Sequence, residues 1–400
     1  MTKQIIESIK EEADACINCG LCDAVCPTLP AFDYQGTRGA RGRMIIAKKF
    51  SEDLIKKGYT DLFIRDVYYS CLECNACKQA CSAGLNPGLL SNMVKQAISA
   101  GLIKGQNSAL AEAISKNIIN HKDPLGLKDQ LAEWSKGLKF EDVYDTILFT
   151  DHSYQLLAYY KKLGQVGERA ELDYQEFQRM TENISKDFDP KIKEKADRIL
   201  KTIFKLLENA GIKFSYLGKE EPYSGILLLE YGHADEFKKY AQEFVDYLNN
   251  KGVKTLIVID PHTYDVLLNK YPVYTKGFNF KVIYYLDLIK NLGFKKTDTT
   301  VTYHEPCYFT RHLEYSLPLQ MLSNTSKLIM PLHKGKNTYC CGGPISLLYP
   351  EASDNIAQRR LEELKRTKAE TIITVCPLCY LNLSKDETVK DISEYLVKLI

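Results

Sequence analysis

The sequence predicts an α+β multidomain protein, with a mostly α-helical N-terminal domain followed by a duplicated α/β region with parallel sheets. Three observations carry this prediction. Eight of the thirteen cysteines fall into two runs of identical spacing, Cys16, Cys19, Cys22 and Cys26, then Cys71, Cys74, Cys77 and Cys81. From about residue 142, short β-rich runs (DTILFT, GILLLEY, KTLIVID, KVIYY, TVTYH, TIITV) alternate with helical stretches, the pattern of βαβ units on a parallel sheet. One pattern also occurs twice, over residues 226–264 and 345–380, which implies a duplication.

These features divide the chain into residues 1–104, a helical connection at 105–140, a first α/β lobe at 141–275 and a second at 276–400. In the first unit each cysteine run reads C-x2-C-x2-C-x3-C, the spacing by which bacterial-type ferredoxins hold 4Fe–4S cubanes. Three thiolates on one tight turn serve one cluster, and the fourth is aimed at the other. This predicts one cubane on Cys16, Cys19, Cys22 and Cys81, and a second on Cys71, Cys74, Cys77 and Cys26. Structural zinc is the alternative. Helices are expected before the first run, near 40–58 between the runs, and near 88–101 after them. Arg38, Arg41, Arg43, Lys48 and Lys49 form a basic segment, read as a solvated helix face in preference to a dock for an acidic partner.

The bulk numbers exclude several classes. At 400 residues there is room for two or three domains. Hydrophobic content of 45% and a formal net charge of +2 describe an ordinary globular chain with no electrostatic pull toward nucleic acid. No apolar stretch approaches the roughly 20 residues that span a bilayer. The first residues, MTKQIIESIKEEADAC, carry acids and an amphipathic pattern in place of an apolar signal core. Unpaired thiols of this kind suit a reducing compartment, so a cytoplasmic location is expected, with peripheral attachment to the inner face of a membrane through partner subunits. Neither a G-x-G-x-x-G loop nor a P-loop is present, so no flavin, NAD or nucleotide is expected on this chain.

The two repeat copies differ in their thiols. The second copy carries Cys307, Cys340, Cys341, Cys376 and Cys379, each at a strand end or at a turn before a helix. In an open parallel sheet that edge is where ligands collect. Five convergent thiols suit a multi-iron cluster, whereas zinc usually takes four ligands. Gly342 and Gly343 would let backbone approach the metal. In the first copy Asp151 or His152, Tyr223, Ser224, Asp260 and Thr263 stand in the matching places, a poor set for iron–sulfur ligation. That lobe is read as structural, or as a surface for substrate or partner, with a hard-metal site on Asp151, Asp260 and His262 as the alternative.

Together, both cysteine runs, Tyr303-His304-Glu305-Pro306-Cys307, Cys340-Cys341-Gly342-Gly343-Pro344 and Cys376-Pro377-Leu378-Cys379 resemble the iron–sulfur subunits of heterodisulfide-reductase type. Those subunits fuse a two-cluster ferredoxin domain to paired "CCG" domains. A similar layout occurs in the iron–sulfur subunits of anaerobic glycerol-3-phosphate, glycolate and lactate dehydrogenases. The resemblance implies a noncubane 4Fe–4S cluster on Cys307, Cys340, Cys341, Cys376 and Cys379. The sequence departs from the pattern in two places. Cys81 is followed by Ser82 where proline is usual, and only one of the two CCG lobes keeps its cysteines.

The expected function is an electron-transfer oxidoreductase subunit. Its two cubanes would exchange electrons with the CCG cluster, which acts on a thiol or disulfide; His304 is the candidate proton donor, because its charge changes near neutral pH. Against this stands a histidine bonding backbone at a strand end. Arg311 is read as a contact for an anionic substrate or a surface charge, and His333 as structural. The alternative function links a FAD-dependent dehydrogenase to quinone with no substrate of its own. A second alternative is a ferredoxin with a structural zinc CCG domain. Expected partners are a flavoprotein, or a membrane cytochrome or quinone-reactive subunit, in a hetero-oligomer.

Overall fold

A computed structural model describes residues 2–104, 106–167, 174–184 and 188–400. The N-terminal domain is helical as expected. Thr2–Asp14 leads into the first cysteine run, Ala40–Lys57 connects the runs, and Pro87–Ser99 follows the second. Proline opens this last helix, and Asn86 caps it by accepting from the Leu89 amide, satisfying a donor the helix start leaves open. Phe50, Tyr68, Val94 and Ile98 fill the space among these helices. The connection is helical at Ala109–His121 and Lys128–Leu131.

The α/β region holds two parallel sheets. Strands β1 (Thr146–Phe149), β2 (Thr255–Val258) and β3 (Lys281–Tyr284) pair in that order, and Ser215 bridges the free side of β1. Strands β4 (Thr300–Tyr303), β5 (Lys327–Leu328), β6 (Thr371–Thr374) and β7 (Val389–Asp391) follow the order β5-β4-β6-β7. With Ser215 taken as the counterpart of β5, the two sheets share one topology. Strands β1, β2, β4 and β6 are buried along most of their length, as sheets covered on both faces require. The α+β class and the parallel sheets are borne out.

Two details differ from the sequence reading. The run GILLLEY forms no strand. Ile226–Glu230 is a helical turn opened by Gly225 at φ +78°, whose missing side chain leaves room for the ring of Tyr240. A short, wholly apolar run has no period to separate helix from strand, and the left-handed glycine decides. The first sheet also continues beyond residue 275, because β3 pairs with β2. Residues 164–190 read in sequence as a polar, charged insertion between two βαβ units; of these, 168–173 and 185–187 lie outside the described residues. The parts on either side belong to helices Leu157–Gly167, Tyr174–Ile184 and Pro190–Asn209.

The two lobes close their cysteine-equivalent positions by different means. In the first lobe the Ser224 amide donates to Asp151, and the Ser224 hydroxyl donates to Asp151 Oδ2 at 2.6 Å. Thr263 Oγ1 lies 2.6 Å from Asp151 Oδ2 and 2.5 Å from Asp260 Oδ2. A hydroxyl has one proton to give, so a second proton belongs to the carboxyl pair. Burial foremost, then the charge of Asp260, pushes Asp151 well above the usual carboxylate range. Hydrogen bonds thus join positions that cysteines hold in the second lobe.

This network generates a stability prediction. Asp151→Ala orphans the buried amide and hydroxyl of Ser224 and costs about 2–4 kcal/mol, read by chemical denaturation. Because the folded pKa of Asp151 is raised, its proton-linked stabilisation is complete below the ordinary carboxylate pKa of about 4 and fades as pH rises toward the folded value. Asp151→Asn therefore flattens that loss while keeping the fold. An unchanged pH profile would contradict the shared-proton network.

Candidate metal-cluster centres

Each cysteine run is curled by two left-handed residues at matching positions. These are Asn18 (φ +58°) and Gly20 (φ +83°) in the first run, and Glu73 (φ +49°) and Asn75 (φ +57°) in the second. Each pair is followed by a short helix, Leu21–Ala24 or Ala76–Ala80, that carries the third cysteine. Asparagine and glycine tolerate this backbone best, so the turn chemistry is written into the loops. The thiols fall into crossed groups. Cys16, Cys19, Cys22 and Cys81 line one cavity, and Cys26, Cys71, Cys74 and Cys77 line another. Burial raises Cys22 to about 12 and Cys77 well above the ordinary thiol value. Such thiols stay protonated until a metal displaces the proton. Cys19 alone among the thirteen is exposed, flanked by exposed Ile17 and Leu21.

The sequence groups Arg43 with a solvated basic face, and the structure corrects this. Arg41, Lys48 and Lys49 are exposed, but Arg43 is fully enclosed. Its guanidinium donates to Val67 O at 2.8 Å, Thr28 Oγ1 at 3.1 Å and Ser70 Oγ at 3.1 Å, and reaches Cys26 Sγ at 3.8 Å. Burial works against its charge, but the sulfurs of Cys71 and Cys26 outweigh it and hold the pKa up. A buried cation here offsets the negative charge of a thiolate-ligated centre.

In the second lobe the five predicted cysteines converge, all buried. Cys307 follows β4 and opens a π-helical turn, Tyr308–His312, while Cys376 caps the helix Pro377–Leu383 that carries Cys379. The Cys379 thiol donates to Cys341 Sγ at 3.0 Å. Cys307 and Cys341 both bond Cys340, and Cys376 bonds Cys379. The two glycines answer to packing more than to the thiols. A side chain on Gly342 (φ +87°) would strike Ser353 O at 2.5 Å, and one on Gly343 would strike Leu378 Cβ at 2.7 Å. Gly343 also donates its amide to Cys341 Sγ at 3.5 Å.

His304 is buried beside these thiols, and its ring nitrogen comes within 4.8 Å of Cys341 and Cys379 sulfur. Its Nδ1 accepts from Arg360 Nε at 3.0 Å, which places the ring proton on Nε2, a buried nitrogen with no hydrogen-bond partner. Burial foremost, with Arg360 adding, lowers its pKa against the pull of Cys341. The ring is therefore neutral, suited to giving a hydrogen bond and not to storing a proton. Arg360 is held by Glu363 Oε2 at 2.5 Å, Thr338 Oγ1 and His333 O. His333 Nδ1 in turn lies 2.7 Å from Glu363 Oε1. The alternative hard-metal trio is not brought together: His262 lies toward Glu230 Oε1, 3.6 Å away, and close to the Cys376 thiol of the other lobe.

The domains meet at the thiols. Cys74 of the second run lies close enough to Cys340 for the two thiols to interact. Arg311 seals the junction, donating Nε to Cys74 O at 2.5 Å and Nη1 to Thr338 O at 2.8 Å, so it is neither a surface charge nor free for a substrate. That interaction with Cys340 foremost, with help from Arg311 against burial, draws Cys74 down to about 6. Sequence reasoning missed Arg360 and misplaced His262. Arg360 shares the buried face of its helix with Ser353, Ile356, Ala357 and Leu364, so a charge on an apolar stripe was the signal. His262 stands where the second repeat has Leu378.

Comparison with known proteins agrees with this layout. Residues 12–85 match the 4Fe-4S dicluster domain, and residues 301–384 match the cysteine-rich domain named CCG. The chain is 24% identical to a subunit of the dihydromethanophenazine:CoB–CoM heterodisulfide reductase of Methanosarcina barkeri, over 100% of this chain and 97% of that one. It is 28% identical to the EtfAB:quinone oxidoreductase of Syntrophomonas wolfei, over 46% of this chain and 28% of the other. Identity to a probable membrane-anchored ferredoxin of Chromohalobacter salexigens is 23%, over 95% of this chain and 59% of the other. The chain thus spans nearly all of the first relative and less than two thirds of the other two. The similarity read from the cysteine motifs is borne out: a 4Fe–4S dicluster domain is followed by a CCG domain, in a chain resembling iron–sulfur subunits of heterodisulfide-reductase type along its whole length.

Proposed function

We propose that this chain is an electron-transfer subunit of an oxidoreductase complex, holding two cubanes and a third iron–sulfur cluster in its CCG lobe. The placement of Cys74 beside Cys340 carries this reading, supported by Arg311, which ties Cys74 O to Thr338 O, because it sets the second-run thiols beside the buried CCG thiols. When bound, the clusters supply one-electron transfer. The chain's own residues order the sites. Exposed Cys19 marks the end nearest solvent; the Cys26, Cys71, Cys74 and Cys77 group lies next, with Arg43 as counter-charge; the five CCG thiols lie deepest. His304 is proposed to donate its Nε2–H toward Cys341, and Arg311 to lock the domains together.

Similarity to a heterodisulfide reductase subunit favours thiol or disulfide chemistry at the CCG centre. Similarity to an EtfAB:quinone oxidoreductase favours relay between a flavoprotein and quinone. Both imply a hetero-oligomer. No helix among the described residues is long and apolar enough to cross a membrane, so a membrane-bound acceptor would be reached through a partner subunit. The trio His304, Cys341 and Cys379 gives the structural-zinc reading a concrete ligand set.

Metal analysis with EPR on anaerobically purified protein tests the proposal. About twelve irons per chain are expected if each of three sites holds a four-iron cluster. Cys340→Ser removes or alters the CCG signal and spares the signal of the first-run centre. Cys26→Ser perturbs the second-run centre and Cys81→Ser the first-run centre. About eight irons with one zinc would overturn the three-cluster reading.

A further inference from the structure

A cavity of about 400 Å³ lies between the helical turn Thr28–Ala31 and the helix Pro350–Lys365. Its size is that of a small-molecule site. Cys26 and Cys340 both line it, so it borders a cysteine from each of two candidate cluster sites, one in each domain. Leu29, Pro30 and Ile356 supply an apolar wall. Tyr34 and Tyr339, 68% and 38% exposed, stand at its mouth.

Two features show how the cleft is organised. Asp33 and Tyr34 both take left-handed backbone, φ +51° and +60°, which bulky residues rarely adopt. The Tyr34 amide donates to Leu29 O at 2.9 Å, setting this exposed ring beside the apolar wall. The cleft's charges are also unequal in their commitments. Asp23 binds the Arg41 amide at 2.9 Å and its Nε at 3.4 Å, and Arg360 is consumed inward by Glu363 and His304. Arg359 lines the same cavity, is exposed, and makes no ion pair among the described residues. An uncommitted guanidinium beside two aromatic rings and an apolar wall selects an anion with a flat body.

We propose that this cleft binds a small organic anion with a flat apolar body. Its acid group meets Arg359, its body lies between Tyr34 and Tyr339, and its far edge reaches Cys340. The electron-transfer reading enters only in the consequence, that such a ligand would meet both thiol sites at once; binding itself does not depend on it.

Calorimetric titration of the full-length, cluster-loaded protein with 2-naphthoate tests the site. Saturable binding is expected, weakened about tenfold in Arg359→Gln, in Tyr34→Ala, and with neutral 2-naphthylmethanol as ligand. Arg366→Gln removes the same charge from the end of the same helix, outside the cleft, and should leave affinity unchanged. Absence of binding, or equal weakening in Arg359→Gln and Arg366→Gln, would overturn the proposal. If the iron count shows no third cluster in protein that binds with this pattern, the cleft stands and the three-cluster reading falls instead.

Discussion

The junction that Arg311 makes by binding Cys74 O and Thr338 O, with Cys74 set beside Cys340, is the constraint on which the arrangement rests. It joins a residue of the N-terminal loops to one in the loop ahead of Gly343–Ile345 in the second lobe. Bringing them together requires that the helical domain sit against the cysteine edge of the second lobe. The rest of the interface serves that placement. Tyr349 donates to Asp66 at 3.0 Å, Lys95 pairs with Glu73 at 2.7 Å and donates to Glu230 O, and Asn75 meets His312 Nε2 at 3.1 Å. Gly232 packs so closely on the Lys95 backbone that an added Cβ would lie 2.4 Å from its carbonyl carbon. These are buried, directional contacts, and each lost partner leaves a costly orphan.

The duplicated lobes show two solutions to one problem. A parallel sheet leaves its strand ends and following turns converging on one edge, and polar groups gathered there must be satisfied. In the second lobe thiols gather, poised for metal. In the first, Asp151, Ser224, Thr263 and Asp260 close the same positions with hydrogen bonds and a retained proton. Losing cysteines did not empty the site; it changed what holds it together. The first lobe also reaches across, through His262, to touch Cys376. At that point it walls the second lobe's thiols.

Much of this is legible in the residues because cysteine spacing is a geometric statement. C-x2-C-x2-C-x3-C admits few turns, and the crossed grouping of Cys26 and Cys81 follows from the reach of each loop. Strands such as KTLIVID and TIITV are legible because both faces are buried and apolar. GILLLEY is not, since a short run of buried apolar residues looks alike in helix and strand and only the φ of Gly225 separates them. Long side chains are the least legible. Arg43, Arg311 and Arg360 look like surface charges in a sequence, yet each reaches inward beside a thiol site, where buried acceptors take its donors. That pairing is a tertiary fact with no local signature.

The most direct test of the central claim is the magnetic interaction between the second-run centre and the CCG centre, read by EPR relaxation on anaerobically reduced protein. Thiols set beside each other at Cys74 and Cys340 predict fast-relaxing, mutually broadened signals that become independent in Cys340→Ser. Two sharp signals that relax independently in the unaltered protein would contradict the account, because they would separate the domains that this contact joins.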